Sequence, residues 1–189
     1  LAFFLLMPLS GIGAAIASSS RGALVGLGAA GLWAILRRPK RIILGMILLG
    51  VCAVVVMRVM PEEFTRRFTE AGADRTSLHR LERWGHSLEA MNEHPLLGVG
   101  FAAWTEYYPR NFRLHDQGTL LVHNVFLQCG TELGYAGLGV FAAMILACLA
   151  ATRRVRRLAK GAEDRFPALI AYGLDAALVG FLVSGSFVT

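Results

Sequence analysis

Five runs of apolar residues, about Leu1 to Ala17, Gly22 to Leu36, Ile42 to Val59, Tyr135 to Ala151 and Phe166 to Val188, constrain this chain more than any motif in it. The hydrocarbon core of a bilayer is about 30 Å thick and is crossed by roughly 20 apolar residues in a helix. Backbone groups have no water to bond there, so a spanning segment must satisfy them internally, which leaves helices or closed barrels. The expected fold is therefore all-α, a polytopic membrane protein with about five transmembrane helices. The second run is short for a span, and Ser18 to Arg21 and Arg37 at its ends can snorkel or extend the helix. Composition agrees: 55% of residues are hydrophobic and the mean hydropathy is +0.53, against an apolar share of about 45–50% in soluble domains. The opening run lacks the basic start and small-residue cleavage site of a signal peptide. It reads as a truncated span, and the chain as a C-terminal fragment of a longer protein. Cys52, Cys129 and Cys148 lie in apolar segments at no metal-ligand spacing and read as packing residues.

A long polar insertion between the third and fourth runs divides the chain into residues 1–59 with three helices, a loop domain at 60–119, and residues 120–189, with a re-entrant or surface segment and the last two helices. Positive charge in short loops stays cytoplasmic. Arg37-Arg38-Pro39-Lys40-Arg41 and Arg153-Arg154-Val155-Arg156-Arg157 with Lys160 are short connectors, so both are expected inside. Alternation then puts Ser18 to Arg21, the insertion and His123 on the opposite, periplasmic side. Topology accounts for these basic clusters, so no nucleic acid partner is inferred.

Three basic groups share that expected face. Ser18-Ser19-Ser20-Arg21 opens the second span, where the serines can cap a helix and Arg21 can either fix its depth or point into an aqueous mouth. From Thr76 to Glu93, Leu78, Leu81, Trp84 or Gly85, Leu88 and Met91 recur at helical steps, which predicts an amphipathic helix capped by Thr76 or Ser77 and ended by Pro95. Arg80, Arg83 and Trp84 fall within one turn of it. They suit a solvated face with an arginine over an indole as readily as a binding site. His123 precedes a moderately apolar stretch, Leu120 to Leu133, too short to cross a membrane alone, with Asn124 and Gln128 on one side of it. An ionisable group at a membrane edge is a candidate for function, the alternative being a histidine hydrogen-bonded at a helix terminus.

Other features carry less. Gly98-Val99-Gly100 has no strand-turn-helix context and reads as a turn. Trp104, Tyr107 and Tyr108 suit an interfacial aromatic belt, or sugar stacking. His79, His86, His94 and His115 show no metal-ligand spacing, so neither a metal nor a cofactor is expected.

Spacing within three of these segments resembles one family. His123-Asn124, nine residues, Gly134, two residues and Gly137 is similar to the pattern near the end of bacterial O-antigen ligases. Ser20-Arg21-Gly22-Ala23-Leu24 resembles the first arginine motif of that superfamily, and Arg80-Leu81-Glu82-Arg83-Trp84 followed by His94-Pro95-Leu96-Leu97-Gly98-Val99-Gly100 resembles its periplasmic loop. The serine-rich opening and Met60-Pro61-Glu62-Glu63 look most like O-glycosylation ligases of exosortase-associated systems. The resemblance implies transfer of a glycan from a polyprenyl-diphosphate donor to a hydroxyl on a lipid, glycan or protein, without a metal, in contact with membrane lipids. It implies Arg21 and Arg80 as the groups that stabilise the departing diphosphate and His123 as the base, with Arg83, Asn124, Gln128 and Trp84 binding substrate. The chemistry is apt, because guanidinium groups grip phosphate oxygens bidentately and an imidazole titrates near neutrality. The rival reading is a transporter of an anionic substrate or lipid-linked glycan, whose broken helix would sit at His123. No internal repeat of the kind transporters carry is visible. A membrane scaffold is the third reading, and it predicts no convergence of Arg21, Arg80 and His123.

Overall fold

A computed structural model of the chain describes residues 10–11, 13–14, 20–37, 42–59, 75–112 and 121–187. Among these, every element is α-helical: α1 Arg21–Leu36, α2 Ile42–Val59, α3 Arg75–Glu93, α4 Trp104–Asn111, α5 Val125–Leu158 and α6 Phe166–Gly185. Most of the expected first span, the Met60 to Glu63 segment and His115 lie outside the described residues. Two helices, Val125–Leu158 and Phe166–Gly185, are long and apolar enough to cross a bilayer, and Gly22–Leu36 and Ile42–Val55 are shorter apolar helices. Their large side chains face outward, with Ile43 75%, Met144 62% and Leu146 65% exposed. A helix that displays this much apolar surface has lipid as its solvent, which marks a membrane protein.

The chain divides into two compact units, residues 1–71 with 176–184, and residues 72–175 with 185–189. In the first, Ser20 caps α1 as its sequence suggests, its hydroxyl accepting the Ala23 amide at 3.3 Å. Gly26 of α1 lets the backbone of α6 approach: a Cβ there would lie 2.7 Å from the Gly180 carbonyl oxygen and 2.8 Å from the Ser184 Cβ. Small residues permit such close helix contact where no hydrophobic force pulls helices together. The Arg37 guanidinium, 4.2 Å above the Trp33 ring, closes the end of α1.

The second unit is organised by a break in α5. Gly134 has φ +67 and ψ −171, which interrupts the helix between Leu133 and Tyr135. A break strands carbonyls on one side and amides on the other, and buried groups of this kind must find partners. The segment after α3 supplies them. Val99 and Gly100 donate their amides to the Thr131 and Glu132 carbonyls at 2.8 and 3.0 Å, while the Tyr135 and Ala136 amides donate to Pro95 and Leu96 at 2.7 and 3.4 Å. Contact is close enough to require glycine on both sides. A Cβ on Gly98 would meet Thr131 O at 2.4 Å, and one on Gly134 would meet Leu96 O at 2.3 Å. The Gly-x-Gly turn is thus a fitting for the helix break. Farther along, the carboxylate of Asp175, 1% exposed, accepts from Thr152 and Arg156, joining α5 to the middle of α6.

The amphipathic helix is present as α3, beginning at Arg75, so Thr76 and Ser77 stand inside its first turn. Its buried face matches the expected one only in part. Met91 is buried and Trp84 packs on the core, but Leu78, Leu81 and Leu88 are 55%, 55% and 45% exposed, whereas Arg83, Ser87 and Ala90 are buried. Small residues explain the difference: Met91 lies against Gly130, and Ser87 O receives the Thr131 hydroxyl at 3.2 Å, so α3 seats on α5 by its narrow side.

Gly98→Ala combines left-handed backbone with a backbone clash, and should lower stability by about 1–3 kcal/mol or more. Gly139, in helical α5 with open space around it, should gain up to about 1 kcal/mol on substitution by Ala. Thermal unfolding of both variants in detergent checks this, and equal midpoints would contradict the account of the clip.

Candidate functional site

The His123 turn is held from both sides. On its N-terminal side, the Trp84 indole N–H donates to the Val122 carbonyl at 2.9 Å, and Val122 itself is fully buried. On its C-terminal side, Asn124 is the N-cap of α5, its Oδ1 accepting the Phe126 and Leu127 amides at 3.0 and 3.1 Å. His123 sits between them with φ +57, in the left-handed region that few residues other than glycine adopt, His and Asn being among those few. An outlier of this kind stores about 1–3 kcal/mol and persists only where the surroundings enforce it.

Two guanidinium charges act on that imidazole. Burial lowers the His123 pKa below its ordinary 6.5, and the positive charges of Arg80 and then Arg83 lower it further. Protonation would put a third cation beside two, so the ring stays neutral at neutral pH. Arg83 is buried and also contributes a hydrogen bond to the Tyr108 hydroxyl, whose pKa is raised by burial and by Glu82 and partly restored by Arg83. Of the expected convergence of Arg21, Arg80 or Arg83, and His123, the structure shows the electrostatic influence of Arg80 and Arg83 on His123. Arg21 begins α1 in the other unit, and its side chain lies outside the described residues.

Behind His123, one turn of α5 carries a polar ladder. Gln128 Nε2 donates to Glu132 Oε1, which leaves Gln128 Oε1 buried and without a hydrogen-bond partner. Glu132, mostly buried, takes the Ala102 amide on Oε2 at 3.1 Å. Ala102 too has positive φ, +56. The carboxylate therefore ties the strained end of the 94–102 segment to α5. Sequence reasoning gave Glu132 no role, although a carboxylate within a moderately apolar helix was a visible signal.

The aromatic residues form a core here, not an interfacial belt. Trp104 and Tyr108 are 0% and 3% exposed and pack with Ala90 and Val122, with Trp84, Tyr107, Phe112 and Leu127 against them. His86 belongs to this core: its ring stacks on Phe112 at 4.2 Å and its Nδ1 lies 3.2 Å from the Tyr108 hydroxyl. Tyr107, pushed up to about 12 by burial and by Glu93, remains a donor to Glu93 Oε2 at 2.9 Å. Among the described residues no three His, Cys, Asp or Glu side chains stand close enough to hold a metal ion.

The family model described as O-antigen ligase matches residues 3–142. No curated protein matches the chain.

Capping accounts for Asn124, so Asn124→Ala should weaken the start of α5 by about 0.5–2 kcal/mol, speeding exchange of the Phe126 and Leu127 amides by roughly two- to thirtyfold. Asn124→Ser should keep most of the protection. Hydrogen exchange on both variants decides the matter: protection retained in Asn124→Ala would contradict the capping role.

Proposed function

Because this chain belongs to the O-antigen ligase family, we propose that it transfers a glycan from a polyprenyl-diphosphate donor to a hydroxyl acceptor, with His123 as the base and Arg80 as a guanidinium that receives the leaving diphosphate. Glycosyl transfer of the ligase or polymerase type follows from family membership, as does a lipid-linked glycan substrate in a membrane setting. The donor, the residue roles and the periplasmic location are our reading. The observation that carries it is His123 held in a left-handed turn, its pKa lowered by burial and by the positive charges of Arg80 and Arg83.

In that reading the acceptor oxygen bonds to the anomeric carbon as the carbon–oxygen bond to phosphate breaks. The acceptor proton passes to an imidazole nitrogen of His123, and the electron pair of the broken bond leaves on the diphosphate. Guanidinium groups already oriented in a low-dielectric pocket stabilise that charge without reorganising. A single displacement of this kind inverts the anomeric centre. Arg83, already engaged with Tyr108, positions more than it binds, and the indole N–H of Trp84 is committed to the backbone before His123. Gln128 keeps an acceptor oxygen for a sugar hydroxyl.

The charge arrangement also couples binding to basicity. An empty site keeps His123 neutral, hence able to accept a proton, though a weak base. A diphosphate offsets the arginine charges, and the imidazole then gains proton affinity when the acceptor must be deprotonated.

Transfer from a purified polyprenyl-diphosphate glycan to candidate acceptors tests the proposal. His123→Gln keeps an amide but no neutral-pH base, and should reduce turnover roughly a hundred- to ten-thousandfold. Arg80→Lys should recover little of the roughly hundred- to thousandfold loss expected of Arg80→Ala, since an ammonium cannot grip phosphate bidentately. Wild-type turnover by His123→Gln at equal protein levels would assign the proton to another group.

A further inference from the structure

The segment that closes the helix break turns its backbone inward and its large side chains outward. Leu96, Leu97 and Phe101 are 74%, 77% and 83% exposed. They lie on a stretch, residues 95–105, that contains no charged side chain, although acids and bases crowd the residues on either side. Surface leucines scattered singly need no explanation, but three large apolar side chains within six residues of one loop do.

Backbone hydrogen bonds set the height of this loop. Pro95 O and Leu96 O accept the amides of Tyr135 and Ala136, the first residues after the break. From there α5 runs as an apolar helix whose Val140 and Met144 are 63% and 62% exposed. Loop and apolar helix thus begin at one level. The cost of irregular backbone at membrane depth, its unpaired polar groups, is reduced here, because Gly98, Val99 and Gly100 donate to His94, Thr131 and Glu132. We propose that the 95–102 loop is a membrane wedge, with Leu96, Leu97 and Phe101 seated in the acyl chains of the bilayer where the apolar part of α5 emerges. Such a wedge holds the helix break, and with it the domain built on α3 and α4, against the lipid surface. It follows from exposure and backbone ties alone and is independent of the glycosyl-transfer reading.

Spin-label accessibility tests it on the full chain in phosphatidylethanolamine–phosphatidylglycerol vesicles, with Cys52→Ser, Cys129→Ala and Cys148→Ser removing the native thiols. Labels are placed singly through Leu97→Cys, Phe101→Cys and, as a water-facing reference on exposed α4, Arg110→Cys. Oxygen concentrates in hydrocarbon, whereas a nickel chelate stays in water. A wedge predicts an oxygen-to-nickel collision ratio several-fold higher at both loop positions than at Arg110→Cys. A ratio equal to the reference would place the loop in water. Low collision with both agents would mean that protein, from this chain or a second copy, covers it. Either result overturns the proposal, and two separate label sites guard against a variant that misfolds.

Discussion

Broken helical hydrogen bonding at Gly134 is the constraint from which the rest of this domain follows. Once α5 is interrupted, the Thr131 and Glu132 carbonyls and the Tyr135 and Ala136 amides need partners, and only a backbone lying flush against the break can reach all four. That demand fixes the path of residues 95–102, requires glycine at 98 and 134, and brings the end of α3 onto Gly130. With α3 seated there, Trp84 reaches Val122, and α4 closes its aromatic side chains over the same core. The turn at His123 is thereby enforced from a distance. Its left-handed backbone is a consequence of elements packed on the break.

Electrostatics then give the enforced turn its chemical character. Burial and the positive charges of Arg80 and Arg83 lower the His123 pKa, while Glu132 gives its oxygens to Ala102 and Gln128. A diphosphate would offset the positive charges that act on His123, which is why the proposed donor and the proposed base are assigned to one site.

Much of this was legible in the residues, and the reasons for what was not are physical. Pro95 ended α3 where expected, Ser20 capped α1, and Gly134 marked the junction between the short apolar stretch and the longer apolar helix. The buried side of α3 was misread because hydropathy favoured Leu78, Leu81 and Leu88, whereas close packing on Gly130 and Thr131 selects the side with Ser87 and Ala90 and admits Arg83 through its bond to Tyr108. Trp104 and Tyr108 looked like belt residues because their amphipathic rings suit an interface as well as a core, and only the partner elements decide. Asn124 looked like a ligand for substrate, yet its position just before an apolar helix is also that of an N-cap, and the cap uses its oxygen twice. Glu132 escaped notice because its role is toward backbone 30 residues away, a contact that no local pattern encodes.

The account stands most directly on the protonation of His123. Nuclear magnetic resonance of the protein with its histidine rings labelled, assigned by His123→Gln, reads that pKa with and without a diphosphate-bearing lipid donor. The account predicts titration below the ordinary 6.5 in the empty protein and a clear upward shift when the donor binds. Titration at or above 6.5 in the empty protein, with no response to the donor, would contradict it.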